Sequence, residues 1–245
     1  TTSMTTFTGN PSIFSGLPPI ADEVAPSHQL GEKMYSADGR AFRYARAGGT
    51  ALVVGNLLQA EAEDTGEQAL TPEATAIGAT TLTTNSTVTV TADEYAGGYI
   101  VVTVTPGLGQ VFKISGHPAA TAAVVTFTLE DPVQVALTTI SRIDVVPNLY
   151  AAVIVKPATE TGSIVGVAVN DITASQYGWI QVEGPCSVLN DAGTLVVGNI
   201  VVASDGTAGA VENGADASNE AQPVVGVAMT GIAANETGLV NLKIG

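Results

Sequence analysis

The chain has 245 residues, of which 45% are hydrophobic and 5% aromatic, so its core must be built mainly from Val, Ile, Leu and Ala. Its 23 acidic residues outnumber 8 basic ones, and the net charge of -15 argues against a nucleic acid or an anionic membrane as a partner, because both would repel it. A single cysteine, Cys186, excludes an internal disulfide framework, and we expect it to be a buried small hydrophobe.

Residues 1–32 predict an extended N-terminal arm. Thr, Ser, Gly and Pro dominate this segment, and its prolines interrupt any regular periodicity. Its apolar side chains are typical of an arm that lies on another surface, and the alternative is a disordered terminus. The segment lacks the basic start and apolar run of a signal peptide, so we expect synthesis in a reducing cytoplasm. The predicted partner-binding residues are Phe7, Pro11, Ile13, Phe14, Leu17, Pro18, Pro19 and Ile20.

Residues 33–46 predict a β-hairpin. Asp38-Gly39 separates two strand-like runs, and this dipeptide is typical of a type I′ turn, in which both central residues have positive φ. The hairpin also carries Arg40, Arg43 and Arg46. These arginines could form a basic contact patch for an acidic neighbour, or they could pair with acidic groups of the chain itself.

Two short phrases recur in the same order, which predicts a duplicated β-module. The phrase Leu52–Leu57 matches Leu195–Ile200, and Ile164–Val169 matches Val224–Met229. Gly166 falls on Gly226, so we expect these two glycines at the same position of equivalent strands.

A β-rich insertion separates the two phrases in the first copy. Its strand-like runs are Thr87–Thr91, Ile100–Val104, Gln110–Ile114 and Val124–Leu129. Runs of this length and spacing predict a small antiparallel sandwich or barrel, and we expect it to be a separate compact sheet. No long amphipathic helix is predicted anywhere in the chain.

The predicted fold is all-β: a duplicated small antiparallel β-barrel or sandwich module, with a β-rich insert in the first copy and an extended N-terminal arm. Residues 33–70 form the hairpin and the first half of module 1, and residues 151–190 form its second half. The inserted sandwich-like domain spans residues 71–150. Module 2 spans residues 191–245.

Few titratable groups converge in the sequence. His28 and His117 lie in different segments near prolines, and His117 is interpreted as a structural turn residue rather than a general base. Trp179, beside Tyr177, could be a sugar-stacking platform, but we favour a core or interface anchor because Leu239 takes its place in the second copy. We therefore predict no catalytic residue, no metal and no cofactor, and we expect the chain not to be an enzyme.

Further short motifs are distributed along most of the chain. They are Leu30-Gly31-Glu32, Ala37-Asp38-Gly39-Arg40, Phe42-Arg43-Tyr44, Glu94-Tyr95-Ala96-Gly97-Gly98-Tyr99, Ser115-Gly116-His117-Pro118, Leu129-Glu130-Asp131-Pro132, Gly184-Pro185-Cys186 and Val240-Asn241-Leu242-Lys243-Ile244. Together with the two repeated phrases, they make the sequence similar to structural proteins of tailed-phage virions, in particular head decoration (cement) proteins. Many decoration proteins are shorter single modules, and this duplicated chain departs from that pattern.

The resemblance implies a β-rich protein that reinforces a capsid without catalysis. Its partner would be the major capsid protein, and it would form homo-oligomers, with trimers favoured, on the capsid surface of a virion assembled in the host cytoplasm. We expect no nucleic-acid and no membrane partner. Possible interface residues are Arg40, Arg43, Arg46, Tyr177 and Trp179. The alternatives are another virion subunit (tail, fibre base or capsid component) and a carbohydrate-binding surface module.

Overall fold

The chain divides into two compact units. The computed structural model describes residues 12–14, 21–85, 89–121, 124–191, 193–214 and 222–245. One unit combines Thr1–Glu61 with Tyr150–Gly245, and the other is Ala62–Leu149. The described residues contain no α-helix and one short 3-10 helix, Thr65–Glu67. The prediction of an all-β fold is confirmed.

The described part of the chain forms eighteen strands. In chain order, the strands of the first part are β1 Ser12–Phe14, β2 Lys33–Ser36, β3 Ala41–Arg46, β4 Leu57–Gln59, β5 Thr81–Asn85, β6 Thr89–Val90, β7 Tyr99–Val104, β8 Val111–Gly116, β9 Ala120–Thr121, β10 Val124–Leu129 and β11 Arg142–Val146. The strands that follow are β12 Ile154–Val155, β13 Ile164–Ala168, β14 Tyr177–Leu189, β15 Ile200–Ala203, β16 Val211–Asn213, β17 Val224–Ala228 and β18 Thr237–Lys243.

Barrel 1 consists of β3, the first half of β14, β13, β4 and β12, each antiparallel to the next. The ring closes where Ala47, just after β3, forms a parallel bridge to Val153, just before β12. Successive residues of each strand alternate between the inside and the outside of the barrel. The side chains that point inward are small or aliphatic. These interior residues include Ala45, Leu52, Leu58, Val165, Ile172 and Ile180.

Barrel 2 repeats this arrangement with the second half of β14, followed by β18, β17, β15 and β16. It closes at the equivalent place, where Asn190 forms a parallel bridge to Val211. The 13-residue strand β14 therefore belongs to both barrels. Its first half is the counterpart of β18, and its second half is the counterpart of β3.

The duplication extends to individual residue pairs. Gly166 lies opposite Leu58, and Gly226 lies opposite the equivalent residue Val201, so the predicted equivalence of the two glycines is confirmed. The same match holds for Ala168 with Ile180 and Ala228 with Val240, for Leu52 with Ile172 and Leu195 with Ile232, and for Leu57 with Val167 and Ile200 with Val227. Identical spacing has preserved the same face alternation in both copies.

The predicted hairpin forms from β2 and β3, but its turn is not type I′. A type I′ turn needs positive φ at both central residues, whereas positive φ occurs at Gly39 (87°) and not at Asp38. The Gly39 N–H donates to the Ser36 carbonyl at 3.0 Å, and the Ser36 N–H donates to the Arg40 carbonyl at 2.8 Å. This pattern is a three-residue loop with a glycine bulge, which needs only one left-handed residue.

The second unit is built on one antiparallel sheet in the order β11-β7-β8-β10-β5. Three predicted runs correspond to β7, β8 and β10, and part of the fourth forms the short strand β6, which pairs with β9. The edge strands β5 and β11 were not among the predicted runs. The Leu70 N–H donates to Ile143 in β11 at 2.9 Å, and the Glu73 N–H donates to Thr83 in β5 at 2.8 Å. One segment thus bonds to both edges, so the sheet is curled.

Candidate interaction surfaces

Most of the predicted arm lies outside the described residues, including Phe7, Pro11, Leu17, Pro18, Pro19 and Ile20. The other two predicted arm residues, Ile13 and Phe14, lie in β1, which pairs in parallel with β2 of the same chain. The proposed role of the arm in partner binding stays a prediction.

The last part of the predicted arm, residues 21–32, packs on barrel 1, so the prediction of an arm that extends to residue 32 is wrong for these residues. Glu23 forms an antiparallel bridge with Tyr177, and its Oε2 accepts hydrogen bonds from the Ser27 hydroxyl at 2.6 Å and from the Tyr44 hydroxyl. These two hydrogen bonds hold the pKa of the Glu23 carboxyl below its ordinary value. The His28 ring lies edge-on to Tyr44, with 5.3 Å between ring centroids. This segment is therefore part of the fold rather than a free tail.

The three predicted interface arginines are each engaged within the chain. Arg40 Nε lies 2.8 Å from Asp38 Oδ2, and Arg43 Nη1 donates to the Gly31 carbonyl at 2.7 Å. Arg46 Nε donates to the Ser175 carbonyl at 3.3 Å. Of these three contacts, the one made by Arg40 is to an acidic group, whereas those of Arg43 and Arg46 are to backbone carbonyls. A role of the three arginines at an interface stays a prediction.

The predicted aromatic pair contributes to the core. Trp179 is 3% exposed and belongs to a buried cluster with Met34, Phe42 and Tyr44. Tyr177 is partly buried and stacks on Tyr44 with an interplanar angle of 10°. The indole ring thus has almost no surface for stacking on a sugar. A core role for Trp179, which the sequence favoured over sugar stacking, matches this position.

His117 and Cys186 are held in structural positions. The Tyr95 N–H donates to His117 Nε2 at 3.0 Å, so the ring proton lies on Nδ1, 3.0 Å from the Pro118 carbonyl oxygen. Both ring nitrogens of His117 are thus engaged by the backbone of the same unit. Cys186 is 4% exposed, and burial raises the pKa of its thiol to about 12, which confirms the prediction of a buried small hydrophobe.

A buried polar network around the loop between β15 and β16 of barrel 2 was not predicted. Lys156 is fully buried, and its Nζ donates to the carbonyls of Ala158, at 3.1 Å, and Ser204. Asp191 accepts hydrogen bonds from the hydroxyls of Ser204 and Thr207. These bonds hold the loop between β15 and β16, because both hydroxyls belong to it. Serines and threonines in a loop carry no local signal that would have revealed this network.

The loop held by this network places barrel 2 against barrel 1. The Leu57 N–H donates to the Gly209 carbonyl at 2.7 Å, and the Gly209 N–H donates to the Lys156 carbonyl at 2.7 Å. A Cβ at position 209 would lie 2.8 Å from Asn56 Cγ, so this close approach requires glycine. The two barrels are thereby joined by hydrogen bonds as well as by β14.

Each barrel has the same pair of exposed valines. Both pairs lie within the repeated phrase, but they were not predicted as a site from the sequence. Val53 and Val54 are 49% and 51% exposed, and Val196 and Val197 are 55% and 61% exposed. In both barrels the N–H of the following Asn donates back to the first valine at 3.1 Å, and the intervening glycine has positive φ. The segments 53–56 and 196–199 are therefore type II turns, and each turn exposes two valine side chains to solvent.

The described residues contain no group of three or more His, Cys, Asp or Glu side chains placed to hold a metal ion. They also contain no helix that is long and apolar enough to cross a membrane. No protein-family model matches the chain, and no curated protein matches it significantly.

Proposed function

We propose that the chain is a non-enzymatic phage capsid decoration protein that binds the lattice of the major capsid protein and stabilises the head. The observation that carries this proposal is the duplicated presentation of one apolar turn. Two identical turns, Val53-Val54 and Val196-Val197, occupy equivalent places on two barrels that share a strand. A repetitive lattice offers repeated sites, and a chain with two linked copies of one contact gains affinity from binding both.

Charge supports the same partner class. The net charge of -15 leaves the chain suited to a basic protein surface rather than to a nucleic acid. The link to phage heads rests on the resemblance of the short sequence motifs to those of decoration proteins, which implies a β-rich fold.

The test is binding to capsids assembled from the major capsid protein encoded in the same genome, without this chain. Each valine that becomes buried contributes about 1.5–3 kcal/mol gross, so Val54→Asp should weaken cosedimentation strongly. Val197→Asp should act likewise, and the double variant should abolish binding. The matched control is Ile140→Asp, because Ile140 is 69% exposed in the other unit. Capsid occupancy that is unchanged in the double variant would overturn the proposal.

We propose that the N-terminal arm also contributes to attachment. Because residues 22–32 pack on barrel 1, the informative truncation removes residues 1–20 and leaves Glu23 and His28 in place. Apolar anchors on the arm offset the cost of ordering it, so the truncated chain should occupy fewer sites at equal concentration. Unchanged occupancy and unchanged salt resistance would show that the barrels alone dock.

A further inference from the structure

The two barrels carry the same outward-facing row of side chains. In barrel 1 the row runs across β4, β13 and β14 as Leu57, Val167 and Gln181, each opposite the next. In barrel 2 the equivalent row runs across β15, β17 and β18 as Ile200, Val227 and Asn241. Both rows therefore consist of two aliphatic side chains and one carboxamide.

The two rows differ in burial. Leu57 and Val167 are 0% exposed, and Gln181 is 1% exposed. Ile200 and Val227 are 53% and 42% exposed, although they occupy the same register positions. The difference is not one of residue type, because a valine occupies the central position in both rows.

Barrel 2 is what covers the row of barrel 1. Leu57 and Val167 belong to the same buried cluster as the interior of barrel 2, including Val188 and Val211. The loop that carries Gly209 hydrogen-bonds to the backbone of Leu57. The apolar row of barrel 1 is therefore buried because another barrel packs on it.

The row of barrel 2 has no such cover within the described residues. It lies in a larger apolar face, because Val224, the first residue of β17, is 61% exposed, and Met229, directly after β17, is 44% exposed. The equivalents of these two residues in barrel 1, Ile164 and Val169, are partly buried against neighbouring cores. A terminal repeat that ended an array would carry a polar outer face.

We infer that this face, defined by Ile200, Val224, Val227 and Met229, packs against the same face of a second copy of the chain. The internal contact uses the loop of barrel 2 that carries Gly209, and this loop already hydrogen-bonds to Leu57 of its own chain. The loop is therefore not free to cover the exposed row of a second copy, which excludes a head-to-tail repeat of the internal contact. A face-to-face contact needs only the exposed row itself and closes as a two-fold dimer. The contact does not depend on capsid binding.

The molar mass of the full chain tests the inference, measured by sedimentation equilibrium at about 0.15 M salt, where charge repulsion is screened beyond roughly 8 Å. We expect two copies for the unmodified chain and one copy for Ile200→Lys and for Val227→Lys. Each substitution places a charge in the centre of the contact and should raise Kd by about 30-fold or more. A lysine also makes the net charge of -15 less negative, so added repulsion between copies cannot explain the loss.

Ile140→Lys is the matched control, because Ile140 is an exposed aliphatic residue of the other unit, and it should remain a dimer. Circular dichroism melting of each variant verifies folding, and Val224→Lys provides a second probe of the same face. A single copy for the unmodified chain at all concentrations would overturn the inference. So would a mass of three copies, or a dimer that survives both lysine substitutions.

Discussion

A glycine packed on an isoleucine recurs in both barrels and allows a sharp test of the duplicated fold. A Cβ added at Gly238 would overlap with Cγ1 of Ile232, and a Cβ added at Gly178 would lie 2.7 Å from Cδ1 of Ile172. Overpacking of this kind costs about 1–3 kcal/mol. We therefore expect Gly238→Ala to lower the free energy of unfolding by about 2 kcal/mol, which corresponds to roughly 4–8 °C in Tm.

A double-mutant cycle separates the free-energy cost of the clash with Ile232 from other effects of the substitution at Gly238. Ile232→Ala alone should cost about 3 kcal/mol, because it removes a buried side chain and leaves a cavity. In the double variant the new methyl at position 238 enters that cavity, so the two costs should not add, and the coupling should be about 2 kcal/mol. The cycle with Gly178 and Ile172 should behave likewise, with a smaller clash to relieve.

Differential scanning calorimetry of the single and double variants measures this coupling. Gly49→Ala is the control, because a Cβ there would meet nothing within 4 Å, and its Tm should change little. Additive costs at Gly238 and Ile232 would refute the packing argument. Coupling in one barrel and not in the other would refute the equivalence of the two copies.

Three further predictions concern the insertion, a partly buried carboxyl and the cysteine. Deletion of residues 62–149 should leave cooperative unfolding intact. In barrel 2 a short loop joins β15 to β16, the counterparts of β4 and β12, so the insertion is not needed to connect these strands. Loss of the calorimetric transition would contradict this prediction. Partial burial raises the pKa of the Glu212 carboxyl above its ordinary value. The contribution of this group to stability is therefore fully present below the unfolded-state pKa and is lost as pH rises through the folded-state pKa. Glu212→Gln should consequently raise Tm at pH 7 and keep the acceptor for the Asp205 N–H, whereas an equal or lower Tm would refute the burial argument. Cys186 should react with a thiol reagent only after unfolding, since burial raises its pKa to about 12, and rapid reaction of the native chain would contradict its burial.

Local sequence was sufficient for the features that depend on local geometry. The repeated phrases predicted equivalent strands because a fixed spacing of apolar residues sets which face each one occupies. Gly166 and Gly226 lie at matching register positions for this reason. The insertion was recognisable because it interrupts only one copy. The turn at Gly39 was located correctly, but its type was not, since the same dipeptide occurs in two-residue and three-residue loops.

The tertiary structure decided what lies over each strand and where each ring closes. Ala47 meets Val153, and Asn190 meets Val211, in bridges between segments that no local pattern connects. The sharing of β14 between two barrels likewise depends on contacts along its whole length. Trp179 is buried by residues from the N-terminal hairpin, so its sequence neighbours could not indicate whether its ring is exposed.

The two central valines of the repeated rows show most clearly which property depends on the tertiary structure. Val167 and Val227 each follow the glycine of the same phrase, and each lies at the same register position of its barrel. Val167 is 0% exposed and Val227 is 42% exposed. The sequence determined that both side chains point outward, because alternation along a strand is a local property. Only the tertiary structure decided that one is covered, because burial depends on the barrel that packs above it.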